Sequence, residues 1–321
     1  MRTATLTASG KLEVGEVPDP ENGAGRVVLD VVATGICGSD LHGARGDNDR
    51  RRPGTVMGHE IVAADPDGAR VVVNPLVACG RCAACRAGQD NRCPTRRLIG
   101  CVPQLPGGFA DRLGAPAANA VPFGGEVPAE WGALVEPLAV GAHAVDRLPA
   151  GPPEAPLLVV GGGMIGVACA LAARARGADV TVSEPVADRR ALLADRGLTV
   201  LAPDDVGRER FGAVLDCVAT AATLATALAA VPPGGAVVVV GFGRPELPLP
   251  LDPIVQGEKT VTGSAQYPAG TFAATARWVA SGAVDLAPVI GARVALDALP
   301  DAFAELMAGV DRGLKVLVTP R

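Results

Sequence analysis

Four cysteines, Cys79, Cys82, Cys85 and Cys93, fall at C-x2-C-x2-C-x7-C spacing inside one short polar loop. Tight turns at that spacing bring successive sulfurs to one centre, and four thiolates satisfy a tetrahedral zinc ion with no open coordination position. Such a site supports structure and performs no chemistry. Chance clustering of core cysteines is a poor alternative, because the loop also carries arginine and glycine. A disulfide framework is equally poor in a long chain whose other cysteines are scattered.

A second donor set is mixed. Gly35-Ile-Cys37-Gly-Ser39-Asp40-Leu-His42 and Gly58-His59-Glu60 are dense polar clusters between apolar runs. Cys37, His59 and Glu60 offer sulfur, nitrogen and oxygen, the kind of set that holds a catalytic zinc while water or substrate takes the remaining position. A third motif, Gly161-Gly-Gly163-Met164-Ile165-Gly166, follows the apolar run Leu157–Val160 and opens a helix reaching about Arg176. The next strand, Asp179-Val-Thr-Val-Ser-Glu184, ends in an acid. In that context the glycines let the backbone approach a pyrophosphate at the helix N-terminus. Glu184 is placed to accept hydrogen bonds from the adenosine ribose hydroxyls. A 2′-phosphate would meet like charge there, so the carboxylate favours NAD over NADP, although the nearby Arg189 is able to serve either.

The elements that must position these groups are of two kinds. The first seventy-odd residues alternate short β-like runs (Arg26–Ala33, Glu60–Ala64, Arg70–Asn74) with Gly/Pro/Asp turns, as a β-rich domain does. A Pro/Gly-rich loop, Leu148–Pro156, then leads into a βα pattern. Its strands are Leu157–Val160, Gly212–Cys217, Gly235–Gly241 and Thr260–Ser264, with a helix over Ala222–Val231. The 321 residues suffice for two such domains, and the net charge of −5 with no basic stripe argues against a nucleic-acid partner. The N-terminal Met1-Arg-Thr-Ala-Thr-Leu-Thr lacks an apolar signal region, and no apolar run is of membrane-spanning length. With eight cysteines suited to metal ligation, the expectation is a soluble cytoplasmic protein with no membrane partner.

Cys37-Gly-Ser-Asp-Leu-His42, Gly58-His-Glu60, the four-cysteine lobe and Glu136-Pro-Leu138, in that order, resemble the zinc-dependent medium-chain dehydrogenase/reductase family. Within it the polyol (sorbitol) and threonine dehydrogenase branch is nearest. The resemblance implies an α/β protein: a discontinuous GroES-like β-rich catalytic domain, residues 1–137 and 268–321, and a Rossmann doubly wound parallel-sheet NAD-binding domain, residues 138–267. Helices over Thr271–Val279 and Ala302–Met307 and a closing strand, Lys315–Thr319, belong to the returning segment.

Roles follow residue by residue. Cys37, His59 and either Glu136 or Glu60 ligate the catalytic zinc, and Asp40 orients His59. Ser39 hands the alcohol proton to the cofactor ribose, and His42 passes it to solvent. With the structural zinc at Cys79, Cys82, Cys85 and Cys93 this makes two zinc ions per chain. Phe109 lines the substrate pocket or packs in the core. Gln266-Tyr267 stands where polyol-type relatives often carry Arg-Tyr, which puts ordinary sorbitol activity in doubt. Arg50-Arg51-Arg52 attracts an anionic substrate or is solvated surface. Cys101, Cys169 and Cys217 read as inert core thiols. Only a short link joins Val200 to Phe211 where relatives carry an additional helix, so one face of the sheet is expected to be thinner.

The implied reaction moves a hydride between NAD and a secondary alcohol or ketone of polyol, cyclitol or amino-alcohol type, in a homodimer or homotetramer joined through the cofactor domain. Two other readings use the same fold. One is an NADPH-dependent carbonyl reductase; the other is a dinucleotide-binding protein without turnover, which a single zinc per chain would favour.

Overall fold

The computed structural model describes residues 1–46, 51–149, 155–242 and 246–320. The chain divides into two units, Met1–Glu136 with Pro268–Arg321, and Pro137–Tyr267.

The first unit is built of strands because its sequence alternates β-branched runs with turn residues. β1 (Arg2–Leu6) and β2 (Leu12–Glu16) form an antiparallel pair. β3 (Arg26–Gly35) leads into the short helix α1 (Gly38–Ala44), followed by β4 (Glu60–Ala64) and β5 (Arg70–Val73). β6 (Leu76–Val77) starts the cysteine loop, α2 (Ala83–Arg86) forms one turn within it, and β7 (Arg97–Leu98) closes it by pairing with β6. β8 (Arg112–Pro116) and β9 (Ala120–Pro122) follow, and a 3₁₀ stretch, Ala129–Leu134, runs directly into α3 (Val135–Asp146).

The second unit carries β10 (Leu157–Val160), α4 (Met164–Arg174), β11 (Val180–Ser183), α5 (Ala187–Ala194) and β12 (Thr199–Leu201). β13 (Ala213–Asp216), α6 (Ala221–Ala230), β14 (Ala236–Val239), α7 (Leu251–Gln256) and β15 (Thr260–Gly263) complete it. The six strands are parallel in the order β12-β11-β10-β13-β14-β15. β10, β11 and β13 are buried along their whole length, as central strands covered on both faces must be. The order reverses at β10 and β13, and a crevice opens at the carboxyl ends of strands at such a reversal. The short link after β12 is a single 3₁₀ turn, Pro203–Asp205. Val206 and Phe211 beside it are buried with Leu158, Val160, Val214 and Leu228, so two apolar side chains fill that face of the sheet.

The chain then returns to the first unit through α8 (Ala269–Ala280), β16 (Ile290–Ala295), α9 (Leu299–Met307) and β17 (Lys315–Thr319). α9 starts earlier than its apolar pattern suggests because Pro300 sits in its first turn, where a missing N–H costs nothing. The main sheet runs β16-β17-β3-β4-β5-β9, with β8 on the first half of β3. β17 lies antiparallel to β3, with Leu317 opposite Gly35, which brings Lys315 to the end of β3. No helix among the described residues is long and apolar enough to cross a membrane.

Candidate active site

The cysteine loop folds on itself. The Sγ atoms of Cys79, Cys82, Cys85 and Cys93 all lie within 4.8 Å of one another. Cys79 and Cys85 are 3.9 Å apart and Cys82 and Cys85 3.4 Å apart. A tetrahedron with zinc–sulfur bonds of about 2.3 Å has an edge of about 3.8 Å, so the spacing fits zinc. The loop's own backbone supports the sulfurs: Cys79 N–H points at Cys93 Sγ, Cys82 N–H at Cys79 Sγ and Cys85 N–H at Cys82 Sγ, at 3.4–3.5 Å. The Cys79 N–H and then the Thr95 hydroxyl bring the Cys93 thiol down to about 6. Desolvation and the Cys82 sulfur push Cys85 up to about 12. Hydrogen bonds to sulfur favour thiolate and crowding opposes it, a conflict that a dication resolves.

The mixed donor set converges from separate elements. Cys37 caps the start of α1, and His59 and Glu60 begin β4; their Sγ, ring nitrogen and carboxylate oxygen lie within 4.8 Å of one another. Glu136, buried at the start of α3, stands outside that mutual group, yet its charge helps raise the pKa of Lys315. Asp40 is fully buried, accepts the Cys37 N–H at Oδ2 (3.2 Å), and faces His59 Nδ1 at 3.4 Å with Oδ1. An Nδ1–H donated to Asp40 leaves Nε2 free to meet a metal ion, the usual support for a ligating histidine. Ser39 is half-buried beside it, and His42 is exposed on the same short helix.

Two cations complete this centre, and sequence reasoning missed both roles. Lys315 is 2% exposed; its ammonium donates to both Glu60 oxygens (2.7 Å each) and to the Ile36 carbonyl (3.0 Å). Burial works against its charge, but Glu60, Cys37 and Glu136 raise its pKa overall. Gly35 permits the pair, since a Cβ there would overlap Glu60 Oε2. A lysine heading an otherwise apolar closing strand was the available signal. Arg51 is the second cation. Instead of lying on the surface or awaiting an anion, it is buried with its guanidinium on Asp40; Arg52 is exposed, and Arg50 lies outside the described residues. Burial alone would raise the Asp40 carboxyl, but His59 and Arg51 hold it well below the ordinary carboxylate range.

In the second unit the glycine loop connects β10 to α4. A Cβ at Gly166 would overlap the Gly161 carbonyl, and Gly161 has φ +99°, so both positions need glycine. Glu184 is 3% exposed and tied into the loop: Oε2 accepts Gly162 N–H at 2.8 Å and Oε1 accepts Val186 N–H at 2.9 Å. Each oxygen keeps a second lone pair for a ribose hydroxyl. Arg189 lies 3.8 Å from Glu184 Oε2, and Arg190 donates to the Glu184 and Pro185 carbonyls. Asp216, another acid ending an apolar strand, organises the opposite side of the crevice by accepting the Val218 and Ala219 N–H groups.

Other sequence-selected residues lie deeper. Phe109 is fully buried in a core cluster with Met57, Ile36 and Val318, and packs where Gly58 has no side chain. Tyr267 is 1% exposed, and Gln266 adopts a left-handed φ of +53°. Burial pushes the Cys101 thiol up, consistent with an inert group. Cys217 Sγ lies 3.7 Å from Cys169 Sγ, and that contact together with burial raises its pKa.

Comparison with known proteins also separates two segments. Residues 23–125 match the model of the alcohol dehydrogenase GroES-like domain, and residues 164–281 that of the zinc-binding dehydrogenases. The chain belongs to the zinc-binding dehydrogenases. It is 34% identical over 290 residues to L-galactonate-5-dehydrogenase of Escherichia coli K12, with 84% of each chain covered. It is 32% identical over 330 residues to sorbitol dehydrogenase of Arabidopsis thaliana, covering 93% of this chain and 89% of that one. A zinc-binding dehydrogenase from Sinorhizobium meliloti, solved bound to NADP, superposes with a TM-score of 0.90 at 29% identity over 99% of both chains. Within this family the expected GroES-like and Rossmann pairing is met, and the dehydrogenase is a zinc-dependent oxidoreductase acting on alcohols with a nicotinamide cofactor.

Proposed function

We propose that this dehydrogenase interconverts a secondary alcohol and its ketone on a polyhydroxylated substrate (a polyol, cyclitol, amino-alcohol or sugar acid), with NAD and two zinc ions per chain. The observation that carries the reading is the convergence of Cys37, His59 and Glu60 on one point, backed by a buried carboxylate on His59 and a buried ammonium on Glu60. Cys37 and His59 hold the catalytic zinc with Glu60 or Glu136, and the four-cysteine loop holds the structural one. Zinc held there would lower the pKa of the substrate hydroxyl, and a bound nicotinamide would accept hydride from the carbon that carries that hydroxyl.

The chain's own residues do the rest. Asp40 fixes the His59 tautomer, Ser39 takes the released proton on its Oγ, and exposed His42 passes it to water. Lys315 balances the negative charge that Glu60 brings to the site. The Gly161–Gly166 backbone receives the pyrophosphate, and Glu184 accepts from the ribose. The names of the two relatives, one acting on a sugar acid and one on sorbitol, support the substrate class. The three remaining cysteines, Cys101, Cys169 and Cys217, form no disulfide, which supports a reducing, cytoplasmic setting. A homodimer or larger homo-oligomer is supported by β15, which has no partner on its outer side among the described residues, and by Leu251 and Val255, 63% and 71% exposed on α7.

The experiment is reduced-nicotinamide formation from NAD and NADP over a panel of polyols, cyclitols, amino-alcohols and sugar acids, with and without a zinc chelator. Turnover with NAD that the chelator abolishes is expected; silence with one zinc per chain would overturn the reading. A second reading, NADPH-dependent carbonyl reduction, draws on Arg189 and Arg190 flanking Glu184, and a preference for NADPH in the same assay would select it.

A further inference from the structure

Arg51 makes an unusual set of contacts for a residue in an arginine-rich loop. Its side chain is 4% exposed, and its stem lies on Gly43 of α1, where a Cβ would overlap Arg51 Cγ. The guanidinium then meets three groups of the reaction centre. Nε and Nη2 donate to Asp40 Oδ1 at 3.1 and 2.8 Å, and Nη2 donates to Ser39 Oγ at 3.0 Å. The same Nη2 lies 3.3 Å from His59 Nδ1.

Counting protons resolves these contacts. Nη2 carries only two hydrogens, and the Asp40 and Ser39 oxygens use both. His59 Nδ1 therefore has no proton to accept from Arg51 and instead carries its own toward Asp40. On the other side, Ser39 Oγ is held as an acceptor, so one lone pair is occupied and its own hydrogen must point elsewhere. A serine hydroxyl next to a buried carboxylate would otherwise find its strongest acceptor in that carboxylate, a bond that competes with proton transfer from substrate.

We propose that Arg51 is a positioning residue for the reaction, coupling the metal-ligating His59 to the relay hydroxyl of Ser39 through one shared guanidinium. It keeps Asp40 aligned on His59 and keeps the Ser39 hydroxyl turned outward, with a free lone pair for the substrate proton. This assignment rests on the proposed zinc dehydrogenase reading. It also assigns a role to Gly43: the missing side chain makes room for the arginine stem.

The test uses the full-length, zinc-loaded chain with Arg51→Met, Arg51→Lys, Gly43→Ala, Ser39→Ala and the Ser39→Ala/Arg51→Met pair. Zinc release to a chromophoric chelator is measured beside kcat and KM on the best alcohol of the panel. In Arg51→Met one zinc is expected to leave about 10-fold faster and kcat to fall about 10- to 100-fold with KM little changed. Because Arg51 also supports Asp40, the double variant should be slower than Ser39→Ala, but by a smaller factor than Arg51→Met is slower than the wild type. Gly43→Ala keeps the charge and improves helix propensity, yet should speed zinc release and lower kcat because it displaces the arginine. Arg51→Lys should recover part of both losses. Unchanged zinc release in Arg51→Met and Gly43→Ala, or losses that multiply with Ser39→Ala, would overturn the proposal. If Arg51→Met fails to fold, Gly43→Ala and Arg51→Lys decide it. If the wild type oxidises no alcohol, the functional reading fails while the zinc-release rates still decide the role of Arg51.

Discussion

The two donor sets of the first unit solve the same electrostatic problem in opposite ways. In the cysteine loop the four sulfurs come from residues 79–93 and their supporting N–H groups from the same stretch and from Thr95, whose hydroxyl also meets Cys93. At Cys37, His59 and Glu60 the supporting charges come from elsewhere: Arg51 reaches in from a separate loop, and Lys315 is 255 residues from Glu60. The first is a local fold around four sulfurs; the second exists only when the sheet is assembled. Loss of local support should therefore stay local, whereas loss of a remote cation should destabilise the domain.

Four substitutions break or sharpen that contrast, in decreasing order of effect. Cys93→Ser opens the closed site. A structural zinc contributes about 10–16 kcal/mol of binding free energy, so that ion should be lost while the other is retained. Elemental analysis should find one zinc per chain, and limited proteolysis should cut newly within 79–93. Lys315→Met leaves the Glu60 carboxylate buried without its partner, a change that costs about 3–5 kcal/mol. Urea unfolding of the whole chain should report it, with the zinc of the cysteine loop still bound in the folded fraction. Gly35→Ala drives Glu60 off Lys315 by steric overlap and should cost about 1–3 kcal/mol. Its signature is loss of zinc from the mixed site only. Thr95→Val removes one hydroxyl from a sulfur that also has backbone donors, and should cost no more than about 1 kcal/mol, read as a slightly faster release of the cysteine-bound zinc. A global stability loss in Thr95→Val as large as that in Lys315→Met would erase the distinction.

The same contrast explains what was legible in the sequence. The cysteine loop announces itself because its partners are neighbours in the chain, and so does the glycine loop, whose strand, turn and helix lie in one short stretch. The mixed set was legible as a list of donors, since Cys37, His59 and Glu60 are chemically conspicuous. Their charge balance was not. Arg51 sits between two other arginines, and a run of like charge reads as solvated surface until a buried carboxylate is found beneath it. Lys315 reads as the ordinary first residue of a strand; only the pairing of Leu317 with Gly35 brings its ammonium to Glu60. Phe109 was ambiguous for a related reason, because an aromatic after two glycines fits a pocket wall and a core equally well, and its burial against Gly58 depends on a strand end far away in sequence. Spacing reads Glu184 as an acid placed for a ribose, but not its grip on the Gly162 and Val186 N–H groups.

The distance along the chain between Glu60 and Lys315 also has a meaning in time. A ribosome adding about 5–20 residues per second delivers Lys315 roughly 10–50 s after Glu60. During that interval β4 can form pairs with β3 and β5, yet the Lys315 ammonium is not there for the carboxylate at its first residue. The nascent β-rich segment must keep Glu60 in water, or accept a metal without its counter-charge, until β17 emerges and docks. Completion of the site is thus a late event in synthesis, after the entire cofactor-binding unit has left the ribosome.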